Sequence, residues 1–398
     1  MNTFSDDHNL VNPVLRQVMK EVYAQRCSFP IKYLCDVRLE RVYDKFFAQI
    51  FFMSRGCSHD LKGGCTMCNY GYGQEHIVNS DAVLYEIRQK VKTLPEQLHE
   101  VVVSPIGSLL DEEEVPQQML IDVLDSFSKI RCSEFTCETR ADSVSFDKLR
   151  LLREKINTDR ITLELGVEST NDWLLRNCIN KNAQFQTVQN AIKIAHSMGI
   201  QICANIGIGF PFVNEAVSVS SAISSIRDLL KLDVSCITLF AYSIRPGTLF
   251  EQLWKLGVYK CIPLWAIVEV LSNFTDEELK RIQISWYRNY YQDQSKILQM
   301  PYLCDNCKEE VLALFDEYRN NPCQKTLQPL LSYQCTCKDK WYARYRMQSS
   351  EIDFSSIQKI YTKVANVFSV PMDLLENEFV FMEKTLAEGR KQACTFHS

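Results

Sequence analysis

Between residues 46 and 275 the chain switches repeatedly between two hydrophobic periods. Phe46 to Met53 is mostly apolar and reads as a buried strand. Asp81 to Leu94 places Val83, Leu84, Ile87 and Val91 at helical spacing. Val101 to Val103 is a short strand that runs into Ser104-Pro105-Ile106-Gly107-Ser108. A helix over Pro116 to Lys129, a strand over Glu134 to Glu138, a helix over Ser145 to Glu154 and a strand over Arg160 to Val167 follow. Asn171 to Ser197 is helical with a break near Asn180. Ile200 to Ile208 is a strand, Asn214 to Leu230 a helix and Cys236 to Tyr242 a strand. Alternation of this kind, repeated about six times, predicts an α/β fold of parallel strands covered by helices, a partial or complete βα barrel. In such folds the chemistry sits at the carboxyl ends of the strands.

The flanks differ from this middle. Residues 1–45 read as a helical lead-in, in which Val14, Leu15, Val18, Met19 and Val22 share helical spacing. Past about residue 276 the strand–helix rhythm stops. The expected division is a lead-in over 1–45, a barrel over 46–275, a cysteine-rich module over 276–348 and C-terminal helices over 349–398. Ile357, Ile360, Val364, Val367 and Phe368 would form the apolar face of those last helices. No internal repeat or low-complexity linker interrupts the chain.

Composition narrows the class. The length of 398 residues admits two or three domains, and 46% hydrophobic residues is ordinary for a globular chain. No apolar run approaches the roughly 20 residues that span a bilayer. Met1 to Asn12 is polar and lacks the apolar core of a signal peptide. A soluble cytoplasmic protein with no membrane partner is the expectation. The net charge of -5 supplies no general attraction to nucleic acid, so any RNA contact would need a local basic patch. The 17 cysteines are many and odd in number, without an export signal, which favours reduced thiols serving as metal ligands over a disulfide framework. Cys203 and Cys236, inside apolar runs, read as small buried hydrophobes.

The densest chemistry lies in Arg55 to Tyr70. Cys57, Cys65 and Cys68 stand there at C-x7-C-x2-C spacing in a glycine-containing loop after the first strand. A structural metal site is normally closed by four ligands, whereas a site that works keeps a position open. Three cysteines can hold a four-iron cluster with one iron free, although four-cysteine ligation is commoner. The alternatives are a zinc site or unrelated buried thiols.

The loop resembles that of the radical S-adenosylmethionine (radical SAM) superfamily, in a branch with the longer first spacing. Pro105 to Ser108 is similar to the superfamily's glycine-rich turn after the second strand. Glu164 to Asp172 resembles a strand-end segment of the branch that contains the elongator catalytic subunit and the methylthiotransferases. Asn205 to Pro211 resembles the fifth-strand glycine turn. The nearest resemblance is to the family of the archaeosine-synthase radical SAM subunit. It rests on Arg55-Gly56-Cys57 through Tyr70, Gly107 to Asp111 with Glu114-Val115-Pro116, Glu138-Thr139-Arg140, Ile244 to Leu249, and Cys335-x-Cys337-x-x-x-Trp341. Together these motifs cover roughly residues 45–345 in order.

The resemblance implies that Cys57, Cys65 and Cys68 hold a [4Fe-4S] cluster whose open iron binds SAM. It implies reductive cleavage of SAM to a 5′-deoxyadenosyl radical that abstracts hydrogen, which would make the chain an oxidoreductase, lyase or transferase. A flavodoxin- or ferredoxin-type protein would be the reductant. By the same resemblance Gly107 and Ser108 are candidates for the SAM amino group, Glu138 and Arg140 for its ribose and carboxylate, with Glu168 and Ser169 in similar roles, and Gly207 and Gly209 for its adenine. For each pair a plain structural role is the competing reading; Glu138 and Arg140, for instance, would simply pair on the barrel rim. Met67 stands where the superfamily often has an aromatic residue. The implied substrate is a modified nucleoside or tRNA base. A small metabolite or peptide is the alternative substrate, and a non-catalytic zinc- and RNA-binding protein the alternative class.

A second cysteine group, Cys304-x-x-Cys307 and Cys335-x-Cys337, has the paired spacing of a closed four-thiolate site, zinc or an auxiliary iron–sulfur cluster, with Cys323 in reserve. Lys338, Lys340, Arg344 and Arg346 interleave there with Trp341, Tyr342 and Tyr345. Such a run can bind nucleic acid, but more often it is a solvated face with packed rings. His59 and His76 read as surface residues without a role.

Overall fold

The architecture follows from a sheet whose strands are added in chain order. The computed structural model describes residues 10–26, 33–42, 45–70, 79–105, 107–285 and 297–395. His76 lies outside them. Helix α1 (Pro13–Ala24) leads to strand β1 (Cys35–Val42), which pairs antiparallel with β2 (Lys45–Phe52). Then come α2 (Ser80–Val91), β3 (Gln97–Ser104), α3 (Gln117–Ser126), β4 (Arg131–Thr139), α4 (Phe146–Lys155) and β5 (Asn157–Glu168). After one turn of π-helix at Leu175–Ile179 the order continues with α5 (Phe185–Ser197), β6 (Gln201–Ile208), α6 (Glu215–Lys231) and β7 (Cys236–Ala241). Helices α7 (Leu249–Lys255) and α8 (Trp265–Leu271) precede the last strand, β8 (Ile282–Ile284). The eight strands pair in the order β1 to β8, and β2 to β8 are parallel. Strictly sequential parallel strands with right-handed crossovers place their helices on one face, the arrangement of a βα barrel rather than of a doubly wound sheet. The α/β reading from the hydrophobic pattern therefore holds. The lead-in is not helical throughout: Cys35–Val42 is a strand. Its sequence, CDVRLERV, alternates charged and apolar residues as a half-exposed edge strand does.

The two faces of the sheet differ sharply. Toward the helices point Ala48, Ile50, Phe52, Val101, Val103, Phe135, Cys137, Ile161, Leu163, Ile202, Ala204, Ile237 and Leu239, all buried in one core. Each such large side chain contributes about 1.5–3 kcal/mol by leaving water. The opposite face carries Gln49, Glu100, Glu134, Thr136, Glu138, Thr162, Glu164, Cys203, Asn205 and Thr238, which occupy the alternate positions in the registered strands. Barrel interiors are usually filled by branched apolar layers; this one is polar. Cys203 and Cys236 are register partners on that polar face and half-buried, not members of the apolar core as their surroundings in sequence suggest.

Beyond the barrel strands the chain adds α9 (Lys308–Asn320), α10 (Gln324–Ser332), α11 (Thr336–Tyr345), α12 (Phe354–Val367) and α13 (Met372–Thr395). A second core, over the carboxyl ends of the strands, joins α1, the π-turn, α7, α12 and α13 through Val14, Val18, Cys178, Phe212, Phe250, Tyr361 and Met382. A buried polar knot runs through it. Asn12 caps α1 by accepting from Leu15 N–H at 3.0 Å, and its amide donates to Asn177 Oδ1 at 3.1 Å and Glu378 Oε1 at 3.0 Å. Arg176 forms an ion pair with Glu378, and Trp173 Nε1–H donates to the Met382 carbonyl at 2.9 Å. Among the described residues no helix is long and apolar enough to cross a membrane.

Breaking the Arg176–Glu378 pair leaves a buried charge, a loss of roughly 3–5 kcal/mol in comparable cases. Glu378→Ala should therefore lower the unfolding free energy measured by urea titration by that order, and Arg176→Met combined with Glu378→Leu should recover most of the loss.

Candidate functional site

Strand β2 delivers the chain into a short helical turn at Ser58–Leu61, with Cys57 immediately before it. Three segments distant in sequence fix this loop. Arg26 and Asp60 form a buried ion pair, with Nη2 3.0 Å from Oδ1. The same guanidinium donates to the carbonyls of Cys68 at 2.9 Å and Gly247 at 2.6 Å. Thr66 donates through its N–H to the Ile179 carbonyl and through its hydroxyl to the Cys178 carbonyl, both at 2.8 Å. The Asn180 amide donates to the Gly64 carbonyl at 2.8 Å. Asn180 itself sits in the left-handed region at φ 57°, where Asn is tolerated. His59 Nε2 stands 2.8 Å from the Asn180 carbonyl, so that nitrogen carries the proton. The expectation that His59 is a surface residue fails: it is buried, and burial pushes its pKa down to about 4. Its loop is folded inward over the strand ends, which residue type alone does not reveal.

Cys57, Cys65 and Cys68 line one cavity at the carboxyl ends of the strands, together with Met67, Tyr70, Gly107, Glu138, Arg140, Glu164, Gly166, Glu168, Lys181, Asn205, Tyr242 and Arg245. Burial raises all three thiols, Cys65 to about 12; Arg140 opposes the shift at Cys57, and Asp60 reinforces it at Cys68. Thiolates converging in so dry a place call for positive charge between them, which suits a metal centre.

Arg140, just past the end of β4, brings part of that charge. It pairs with Asp111 at 3.1 Å and Asp142 at 3.0 Å, not with Glu138. Its Nη1 lies 3.5 Å from Cys57 Sγ and 3.1 Å from Ser58 Oγ. Glu138 accepts from the Ser104 hydroxyl and is the register partner of Glu164 on β5. Burial first, then the neighbouring Glu164 carboxylate, pushes Glu138 up to about 7. Burial also raises Glu164, which accepts from the Asn205 amide at 2.9 Å. The bulge that ends β5 puts Glu168 at φ 68° and turns its carboxylate to Lys181 Nζ at 3.3 Å and the Tyr242 hydroxyl at 2.8 Å.

The other expected contacts divide. Gly107 lines the cavity, but Ser108 is fully buried behind it. The Ser108 hydroxyl bonds Thr139 Oγ1 at 2.8 Å and accepts from Arg140 N–H at 3.1 Å, so it is occupied inside the protein. Ser169 turns to Ser221 on α6 at 2.9 Å. A Cβ at Gly207 would stand 2.1 Å from the Tyr242 hydroxyl, so that glycine makes room for a side chain of the protein. The Gly209 carbonyl accepts from Tyr259 at 2.8 Å. Met67 and Tyr70 both face the cavity, and Tyr70 accepts from Arg245 at 3.1 Å. Lys181, Tyr242 and Arg245 carry no expected role in the sequence reading. Each stands alone in its motif, and only the fold shows that it reaches the thiols' cavity.

The C-terminal cysteines also assemble: Cys304, Cys307, Cys335 and Cys337 bring their sulfurs within 4.8 Å of one another, and Cys323 is not among them. In the basic and aromatic run beside them the rings pack, while Lys340, Arg344 and Arg346 are exposed, the solvated face that such a run more often forms. Lys338 is buried, Trp341 stacks on Tyr345 at 4.9 Å, and Trp341 and Arg344 both donate to Glu215 at 2.8 Å.

Residues 51–217 match the family model of the radical SAM superfamily. That stretch is similar to a radical SAM domain, and the loop of Cys57, Cys65 and Cys68 lies inside it. It is 26% identical over 297 residues to archaeosine synthase subunit beta of Methanosarcina acetivorans, covering 73% of this chain and 83% of the relative. An uncharacterized protein of Methanocaldococcus jannaschii is 24% identical over 314 residues, covering 76% and 83%. Among solved structures, Elp3 of Methanocaldococcus infernus aligns with a TM-score of 0.43 at 16% identity, over 62% of this chain and 59% of that one.

Glu114 underlies both loops of the site. It accepts from Ser54 Oγ at 2.8 Å and Ser108 N–H at 2.8 Å, and a Cβ at Gly107 would meet its carboxylate at 2.2 Å. Burial pushes its pKa up to about 7. The folded state thus holds this proton more tightly than the unfolded chain. The parent chain should lose stability relative to Glu114→Gln, on the order of 2–3 kcal/mol, as pH rises from about 4.5 to 7.5, with no difference below that window. Denaturant titrations of both proteins across the range measure it.

Proposed function

We propose that Cys57, Cys65 and Cys68 hold a [4Fe-4S] cluster, that SAM binds beside it, and that the substrate is a modified nucleoside carried in tRNA. The observation that carries the reading is the convergence of the three thiols with Arg140, Lys181, Glu138, Glu164 and Glu168 on one cavity above a polar barrel interior. The extended similarity to archaeosine synthase subunit beta supports the nucleoside.

When bound, the cluster and SAM supply one-electron chemistry that removes hydrogen from an unactivated carbon, with electrons from a flavodoxin- or ferredoxin-type protein. The chain's own residues do the positioning. Arg140, held rigid between Asp111 and Asp142, stabilises the Cys57 thiolate. Glu168, fixed by Lys181 and Tyr242, offers a carboxylate oriented for hydroxyl or ammonium groups. Glu138 and Glu164 hold protons readily, so they present donors as well as acceptors to the polar part of a substrate. Arg245, bonded to Tyr70, lines the same cavity and brings a positive charge near Glu138. A cavity with apolar Met67, Leu175 and Phe240 between these groups limits water around a reactive carbon.

One observation favours the second reading, a small metabolite or peptide as substrate. Of the basic run, Lys338 is buried against backbone carbonyls and Arg344 is paired with Glu215, which leaves Lys340 and Arg346 for a nucleic-acid backbone.

Anaerobic reconstitution should load about four irons per chain, and Cys57→Ala should abolish them. Reduced protein should then release 5′-deoxyadenosine from SAM. Stimulation of that release by tRNA, with a steep loss between low and moderate salt, is the expected result. Stimulation by a small molecule alone would select the second reading, and release that no substrate class alters would sink the nucleoside proposal.

A further inference from the structure

The four C-terminal thiols are spaced for a single ion. Cys304 Sγ lies 3.4 Å from both Cys307 Sγ and Cys335 Sγ. Cys337 Sγ lies 3.6 Å from Cys307 Sγ and 3.5 Å from Cys335 Sγ. A zinc ion bound at about 2.3 Å from each thiolate gives a tetrahedron with sulfur–sulfur edges of about 3.8 Å. An iron–sulfur cluster places several irons and bridging sulfides between its thiolates. Its cysteine sulfurs on different irons therefore stand further apart than the edge of one tetrahedron. Here every sulfur lies within 4.8 Å of every other, so the space between them takes one ion and not a cluster.

The surroundings fit a thiolate-bound cation. Two sulfurs come from the turn that opens α9 and two from the turn that opens α11, each pair closed by a backbone bond: Cys307 N–H to the Cys304 carbonyl at 3.1 Å, and Lys338 N–H to the Cys335 carbonyl at 2.9 Å. Trp265 on α8 donates its indole N–H to Cys337 Sγ at 3.2 Å. A donor aimed at a sulfur is the usual outer partner of a metal-bound thiolate. Lys338 is buried beside the group, bonded to the carbonyls of Leu330 at 3.2 Å and Tyr333 at 3.0 Å and 5.4 Å above the Trp265 ring. Four thiolates around a divalent ion carry two excess negative charges, and a buried ammonium offsets part of them.

We propose that Cys304, Cys307, Cys335 and Cys337 bind one zinc ion in a closed, tetrahedral site that fastens the C-terminal helices to the barrel. With all four positions taken by protein, the ion has no place for substrate and its role is structural. The fastening is visible on either side. Trp265 joins the site to α8, and α11 carries Trp341 and Arg344 onto Glu215 in the first turn of α6.

The inference is independent of the nucleoside reading, and its test removes the other centre. The full chain with Cys57, Cys65 and Cys68 all changed to Ala is purified without added metal and assayed for zinc, iron and acid-labile sulfide. One zinc per chain, with neither iron nor sulfide, is the expected result. Adding Cys335→Ser should remove the zinc, whereas Cys323→Ala should leave it in place. Growth with cobalt gives a measure that does not depend on a variant folding: the purified chain should show the intense visible bands of tetrahedral thiolate-bound cobalt. Iron with sulfide in the triple variant would overturn the single-ion site. A lone iron without sulfide would overturn the choice of zinc, and a chain that binds no metal would overturn the proposal altogether.

Discussion

The buried pair of Arg26 and Asp60 is the constraint on which the site's geometry rests. Asp60 belongs to the turn that carries Cys57, and Arg26 spends its remaining donors on the carbonyls of Cys68 and Gly247. One side chain thus ties the first thiol's turn to the third thiol's backbone and to the loop beyond β7. A buried ion pair adds little net stability, because desolvation offsets its attraction, but removing one partner is costly. The pair therefore acts as a specificity device: any arrangement of the loop that separates the two groups strands a charge in the interior. A loop with several glycines and no long helix needs such a device, since its own conformational preferences do not select one shape.

The polar interior follows from the same economy of charge. Glu138 and Glu164 face each other from adjacent strands with few cations near, and the folded chain accommodates them by raising their affinity for protons. Glu168, two turns of the pleat away, has Lys181 and Tyr242 as partners and is fixed in place by the bulge. Neighbouring carboxyls in one cavity thereby acquire different characters, one set able to hold protons and one held in an ion pair. Different environments for like groups are a common way for a site to gain both donors and acceptors.

Much of this was legible in the chain because the signals are periodic. The strand and helix alternation over 46–275 marks each parallel strand, since strands buried by helices on one face keep their apolar positions in register with the pleat. The edge strand Cys35–Val42 was hidden by its charged residues, as an edge permits. The cysteine spacing displayed both thiol groups, the first within one loop and the second as two close pairs. What stayed hidden arises from contacts at long separation. His59 looks solvent-exposed until Asn180 is folded over it. Ser108 looks like a ligand until Thr139 and Arg140 claim its hydroxyl. Gly207 looks like an opening for adenine until Tyr242 fills the space beside it. In each case the partners lie more than 30 positions away, and no local pattern announces them.

Those long-range partners also explain why the chain extends well past its last barrel strand. The π-turn at Leu175–Ile179 anchors the cysteine loop through Thr66, and Asn180 just beyond it bonds Gly64 and His59. A single π-turn in a helical segment is intrinsically poor in energy and persists where its surroundings hold it. Here they do so from outside the barrel: Asn177 is held by Asn12 at the start of α1 and its carbonyl by Tyr361 on α12, while Arg176 is held by Glu378 on α13. The loop that carries the thiols is thus supported on one side by Arg26 at the end of α1 and on the other by a turn whose shape depends on the C-terminal helices. The barrel supplies the strand ends. The placement of the three sulfurs within the cavity is set by the segments before and after it.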